Sequence, residues 1–281
     1  MSIIDLSKLP VPDVLETLDF EDQFSAVLAR FRVAMGDQWS AALESDPVVK
    51  EFELFTYELI TLRARVNAAA KAVLLASSTG NDLDNVLALL GAARLDGEGS
   101  DDFRERGRQA PYGYSTAGPR QAYKYHALSA HEDIRDVFVD RPTPGVVRVT
   151  VLSRIGDGVP TVQMLEAVRV VLNAEDVRPL NDTVIVEAAH AIPWTLQARL
   201  HFASGAATEP VMVAAQEAAA LYAVAQHKLN TPLSMNMVIV ALGVAGVSDV
   251  ELLSPMQDIP AALQGAAYCT GIELSSVVDY V

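Results

Sequence analysis

The residues best equipped for chemistry are five histidines, His126, His131, His190, His201 and His227, one cysteine, Cys269, and a tyrosine-rich stretch from Tyr112 to Tyr125. Their spacing argues against most reactions. A zinc-type helix would need two histidines four residues apart beside a glutamate, and no such motif occurs. His126 and His131 are five apart, which sets them on different faces of any shared helix. Ser115, which precedes Thr116, would supply with His126 and Asp133 the residue types of a nucleophilic triad. However, no Gly-x-Ser-x-Gly elbow surrounds the serine. Gly156-Asp157-Gly158 lacks the later glycine of a dinucleotide fingerprint, and the chain has no Gly-Lys-Ser/Thr phosphate loop. These glycines read as a turn needing positive φ. Asp176 and Asp182 would attract a cation only if folding brought them together. The expectation is therefore a chain with no catalytic, cofactor-binding or metal-binding residues.

The tyrosines Tyr112, Tyr114, Tyr123 and Tyr125 alternate with Arg120 and Lys124. Such a pattern would suit base stacking, but it also suits a protein interface, where tyrosine buries area while keeping a polar handle. The net charge of −15 favours the interface or core reading, because the overall field opposes nucleic acid and anionic membranes. That charge divides as −8 over residues 1–99, −2 over 100–190 and −5 over 191–281. Most arginines sit in the middle third, Arg104, Arg108 and Arg120 among them, as expected for packing against acidic neighbours. Cys269 alone makes no intrachain disulfide and reads as a small buried filler. The opening MSIIDLSKLP has no basic run leading into a long apolar one, and no stretch reaches the ~18 apolar residues of a membrane span.

The elements positioning these residues change character along the chain. Phe24, Val27, Leu28, Phe31 and Met35 predict a helix over about 20–35. After Pro47, Phe52, Phe55, Leu59, Leu62, Val66, Ala69 and Val73 recur at steps of three and four, predicting a long amphipathic helix. Its stripe is either a core seam or an intersubunit coiled-coil contact. Gly80 is expected to close that helix, and Leu83, Val86, Leu87 and Leu90 to line a short one ending at Gly91. The polar, Gly-rich RLDGEGSD at 94–101 is the best candidate boundary. Helices resume near 101–110 and 119–129. Strands then follow at Ile134–Asp140 and Val146–Leu152, with Pro142 and Pro144 marking their connection as a turn or sheet edge. Thr161 is placed to cap a helix carrying Leu165, Val168 and Leu172, and Thr183–Val186 returns as a strand. From Trp194 to Phe202 strict alternation predicts a strand with one buried face. Thr208 is expected to cap a helix with Val211, Ala214, Ala218, Leu221, Ala225 and Leu229 inside, and Ser234 another reaching Leu242. Val247–Leu252 and Ile272–Val278 read as closing strands. The predicted fold class is α+β: a helical domain at 1–97 and two small helix-on-sheet domains at 98–190 and 191–281.

Several runs resemble, in order, the baseplate assembly protein J family of contractile-tailed phages. They are Ser115 to Pro119, Ala122-Tyr123, His126 to Ala130, Val149 to Arg154, Gly156 to Gly158, the Ala-Glu-Asp-Val-Arg-Pro-Leu run at 174–180, and Ala-Ala-Tyr-Cys-Thr at 266–270. The chain departs from the family pattern at Lys228-Leu229-Asn230 and at Gly243-Val244-Ala245-Gly246. The resemblance implies a structural wedge subunit in the virion tail baseplate, assembled in the host cytoplasm, with no cofactor. Its implied partners are other wedge proteins, copies of itself in a six-fold ring, and tail hub or sheath-initiating proteins. Nucleic acid and membrane are not among them. A part of a contractile bacteriocin or injection system, or a cytoplasmic adaptor, are the competing readings; a hydrolase would need a concave cluster of convergent polar groups. Within the wedge reading, the candidate contact residues are Arg104, Arg108, Tyr114, Arg120, Tyr123, Phe52, Leu59 and Leu62.

Overall fold

The computed structural model describes residues 6–36, 39, 43–115, 117–203 and 208–279. The chain forms two compact units, Met1–Arg94 and Leu95–Val281. The first is helical and the second mixes helices with two small sheets, an α+β class overall. No described helix is long and apolar enough to cross a membrane.

In the first unit α1 spans Phe20–Met35 and α2 spans Pro47–Ala72. Asp19 caps α1 by accepting from Asp22 N at 2.9 Å, and Asp46 caps α2 by accepting from Val48 N at 2.9 Å. Pro47 fits the first turn of α2, where its missing N–H costs nothing. The helix ends at Ala72 rather than near Gly80. Gly80 instead opens α3, Gly80–Ala88, with φ +53°, and Leu83 and Leu87 bury its inner side.

The two helices pack, but the seam is turned from its expected place. The face of α2 carrying Val49, Phe52, Thr56, Arg63 and Asn67 meets α1 and the segment before it. Phe52 packs against Phe31 with tilted rings at 4.7 Å, Arg63 donates to Glu16 and Gln23, each at 2.6 Å, and Asn67 donates to Glu16 O at 2.8 Å. The expected seam is split: Phe52 and Leu59 stay half-buried on the α1 side, and the rest lies one residue, ~100°, away. Its members Phe55, Leu62, Val66 and Val73 are 57, 61, 54 and 71% exposed. The core-seam reading is therefore wrong for those four. Polar groups that can bond α1 and its lead-in captured the inner face.

The second unit begins with α4, Ser100–Gly107, α5, Ala110–Gly113, and α6, Arg120–Leu128. Next come strands β1, Ile134–Thr143, and β2, Val146–Ser153, an antiparallel hairpin closed at Pro144-Gly145. Gly145 supplies a φ of +79° there, and Pro142 falls on an outer strand. Helix α7, Val162–Leu172, crosses over to β3, Thr183–Ala188, parallel to β2. Thr161 caps α7 as expected, accepting from Met164 N at 3.3 Å. Tyr123, Ala127, Val137, Val149, Val151, Val168 and Leu172 form the core between this sheet and its helices.

Only Ala189 separates β3 from β4, His190–Ala203. Helices α8, Thr208–Gln226, and α9, Met235–Leu242, then lead to β5, Asp249–Ser254, and β6, Gly265–Asp279. The second sheet has order β5-β4-β6, with β4 antiparallel to β5 and parallel to β6. The alternation holds: Trp194, Leu196, Ala198, Leu200 and Phe202 are at most 5% exposed. Thr208 is the first residue of α8, and the position that would cap it lies outside the described residues. The inner face of α8 keeps Val211 as expected and then runs one residue from expectation, and Leu229 lies beyond the end of the helix. Ala215, Ala219 and Ala223 meet the sheet, while Leu221 is 72% exposed. Alanines at spacings of four let the helix axis approach the strands closely, which larger side chains would prevent.

Candidate subunit interface

The expected contact residues fall into three groups. Phe52 and Leu59 are half-buried on the α1 side of α2, and Phe52 takes part in the ring contact with Phe31. Leu62 points outward. With Phe55, Val66 and Val73 it makes an apolar stripe running ~27 Å along α2, at 1.5 Å per residue. Glu51, Glu58 and Arg65 flank it, all exposed. An apolar line with a charged margin is the anatomy of a helix-to-helix interface.

In the second unit, Arg104 pairs with Asp101 and Arg108 with Glu105 at 2.8 Å, each one turn away on or beside α4. Their side chains are largely covered, 14 and 16% exposed. Tyr114, 70% exposed, and Arg120, also exposed, stand at the surface. Tyr123 does not. It is 2% exposed in the core, and its hydroxyl donates to Asp182 at 2.7 Å. Burial and the neighbouring carboxylate raise its phenol well above the usual range. Tyr123 thus braces α6 against the turn before β3, a correction to its expected place on the surface. Asp182 is accounted for by the same bond.

Two groups escaped the sequence reading. The first is a buried ion pair. Arg106 donates to both carboxylate oxygens of Glu98, at 2.8 and 2.6 Å, and to Ser129 at 3.1 Å, with both charged side chains nearly covered. Glu98 lies in the run that looked like a solvated linker, so nothing local announced it. The second is the junction between the two sheets. Arg135 Nε donates to His227 O at 2.8 Å, and Leu229 N donates to Asp136 Oδ2 at 3.1 Å. Asp136 also takes Lys124 at 2.7 Å. His227 is 8% exposed and packs near the Tyr268 ring. Burial, then the Arg135 charge, hold its imidazole below the ordinary value of 6.5. Gly158, at φ +94°, closes this corner, since a Cβ there would lie 2.6 Å from Leu152 and 2.7 Å from the His227 ring. The Gly156-Asp157-Gly158 run is therefore the positive-φ turn it resembled.

A cavity of about 410 Å³ adjoins this junction, lined by Asp102, Arg106, Lys124, Asp136 and Arg154 among others. Six of its charges form three pairs: Arg154 with Asp102 at 2.8 Å, Lys124 with Asp136, Arg106 with Glu98. Among the described residues no hydrogen bond joins Ser115, His126 and Asp133, and Thr116 lies outside them. His131, Glu132 and Asp133 cluster at the surface, but Asp133 N donates to His131 Nδ1 at 3.1 Å, occupying that lone pair. Cys269 is half-buried, its thiol donating to Gly271 O at 3.3 Å, and burial raises its pKa.

What stands out is a helical face and a mixed-charge surface rather than a converging polar constellation. Comparison with known proteins agrees in kind. Residues 44–97, which include α2, match the Baseplate J-like N-terminal domain, and residues 115–188 match the Baseplate J-like central domain. Baseplate protein J of Escherichia phage P2 is 38% identical over 295 aligned positions, covering 96% of each chain. This chain therefore belongs to the Baseplate J-like family, the structural proteins of phage tail baseplates.

Proposed function

We propose that the chain is a wedge subunit of a contractile-tail baseplate, acting mechanically and without a catalytic step. In this reading it joins other wedge proteins and copies of itself in a six-fold ring around the tail hub. Its contacts hold the baseplate closed, then rearrange to release sheath contraction. The observation carrying the proposal is the exposed α2 stripe of Phe55, Leu62, Val66 and Val73. Water-facing apolar residues in line are costly to keep on a free surface and mark a contact face. Tyr114 and Arg120 supply a separate candidate contact in the second unit, where charge tunes association rate.

The test is co-expression with the other wedge proteins of the same tail. Leu62→Asp places a charge in the centre of the stripe and is expected to cut co-purification by about 10-fold or more, leaving the free chain's melting unchanged. Undiminished wedge yield with both Leu62→Asp and Phe55→Asp would refute the α2 contact. Absence of the chain from finished particles, or a copy number that is no multiple of six, would refute the wedge assignment.

A further inference from the structure

At one end of the first sheet, loops from distant parts of the chain lock together. Gly118 lies so close to the connection between α7 and β3 that a Cβ there would fall 2.7 Å from Pro179 Cγ. Tyr123 donates to Asp182 at 2.7 Å, and Thr183 N donates at 2.8 Å to Gly145 O in the β1–β2 hairpin. Asp182 N donates back to Pro179 O at 3.1 Å, closing a tight turn over Leu180 and Asn181. The turn is therefore held at both ends. Leu180 on it is 98% exposed, more than any other large apolar side chain among the described residues. A lone exposed leucine on a loose loop is ordinary. This one stands on a braced turn, so docking it orders little that is not already ordered. Tyr114, 70% exposed, precedes the same Gly118 contact.

The same end gathers positive charge. Among the described residues of the second unit four arginines have no carboxylate partner, Arg120, Arg135, Arg141 and Arg178. Arg135 is bonded to carbonyls at the end of α8. The other three are exposed and stand at these loops: Arg120 just after Gly118, Arg178 just before Pro179, and Arg141 on β1 shortly before Gly145. Three acids share the segments, and they offset this only in part. Asp182 is engaged by Tyr123, and Asp176 acts on His126, further along α6 from Arg120. Glu175 remains.

An occupant must bring an apolar pocket with carboxylates around it. Nucleic acid would use the arginines and leave the leucine unfilled, and the net charge of −15 opposes it. A second copy set face to face about a twofold axis would lay arginine on arginine, since such a contact opposes a patch to itself. We infer that this end of the first sheet docks a different, acidic protein subunit, with Leu180 as the anchor in its pocket and Arg120, Arg141 and Arg178 as the rim. The inference rests on the wedge reading and says how the second unit meets a neighbour. The arginines speed association and make it salt-sensitive, while the leucine sets how long the complex lasts.

Co-expression of the full chain with the other wedge proteins of the same tail tests it. Leu180→Asp is expected to cut co-purified partner about 10-fold or more at an unchanged melting temperature. Arg120→Glu combined with Arg178→Glu should slow association about 10-fold at low salt and flatten its salt dependence. Met256→Asp, 87% exposed on the β5–β6 connection, should do neither. A benzophenone side chain in place of Leu180 should cross-link to another protein, at a segment carrying Asp or Glu. A cross-link to another copy of this chain would overturn the inference. Single-stranded DNA bound by the wild type and released by the arginine variant would overturn it too. A wild type that brings down no wedge protein removes the wedge assignment and this docking point together. Partner lost with Leu62→Asp but fully recovered with Leu180→Asp removes the docking point alone.

Discussion

The helical unit and the sheet-bearing unit solve the problem of burial differently. In the second, Phe103, Val149, Val151, Leu152, Val168, Leu172, Leu196, Leu200 and Phe202 are all essentially inaccessible, and each sheet has a helix layer over it. In the first, α1 buries no residue fully, and α2 buries only Val49 and Thr56. Ordering a residue costs roughly 1–2 kcal/mol of backbone entropy, offset mainly by apolar burial. The second unit meets that cost within the chain. The first leaves its largest apolar stripe in water, the arrangement of a part completed by a neighbour. Even the closed unit leaves apolar side chains outward on its helices: Val170 on α7, Leu221 on α8 and Val240 on α9 are 65, 72 and 68% exposed. A finished core and an unfinished surface coexist on the same element.

The contrast breaks most visibly if the second core proves soft. Phe202→Ala removes a fully buried ring from the middle of the β4 layer. The expected cost is about 3–5 kcal/mol, read as a lower denaturant midpoint at unchanged slope. A loss below about 1 kcal/mol would mean that this layer is not close-packed, and the contrast between units would fail.

A smaller effect should appear with pH. His227 is held neutral at the sheet junction, its folded pKa below the ordinary 6.5, and burial lowers His126 similarly. The unfolded chain therefore takes up these protons first. Stability from both histidines is complete above about pH 6.5 and falls as pH drops through and below that value. His227→Gln should remove the part of that slope due to His227 and leave the part belonging to His126. Urea melts between pH 5 and 7.5 would show it. An identical slope in the variant would remove His227 from the account.

Much of the architecture was legible because period and punctuation agreed. The apolar period from Phe24 to Met35, Pro47, Thr161 and the alternation at Trp194–Phe202 each signal their element through a local mechanism, and each element formed there. Helix phase was less legible. In both α2 and α8 the apolar residues outnumber what one face can bury, so periodicity alone does not say which stripe goes inside. In α2 the choice fell to Arg63 and Asn67, which needed Glu16, a partner about 50 residues away. In α8 it fell to the alanines, whose four-residue spacing was visible but carries little hydrophobicity. The candidate contacts divided accordingly. Leu62, Tyr114 and Arg120 reached the surface, while Tyr123 was drawn inside by Asp182, 59 positions distant. Strand order was not legible at all, so nothing in the sequence placed β4 between β5 and β6.

The smallest expected effect tests the contrast within one helix. Leu59 and Leu62 are the same residue type, three positions apart on α2, one half-buried toward α1 and the other 61% exposed. If the α1 seam supplies the unit's own stability, Leu59→Ala should cost about 1–2 kcal/mol, less than a full core truncation because its site is only partly closed. Leu62→Ala should stay within about 0.5 kcal/mol, since the side chain already meets water in the free chain. Melts of the two variants at equal concentration separate the alternatives. Equal losses would put the expected heptad stripe back inside the fold and remove the reason to seek a partner for it. A silent Leu62→Ala that nevertheless weakens co-purification would tie the exposed face to assembly. The two leucines would then report on different processes, folding through Leu59 and association through Leu62.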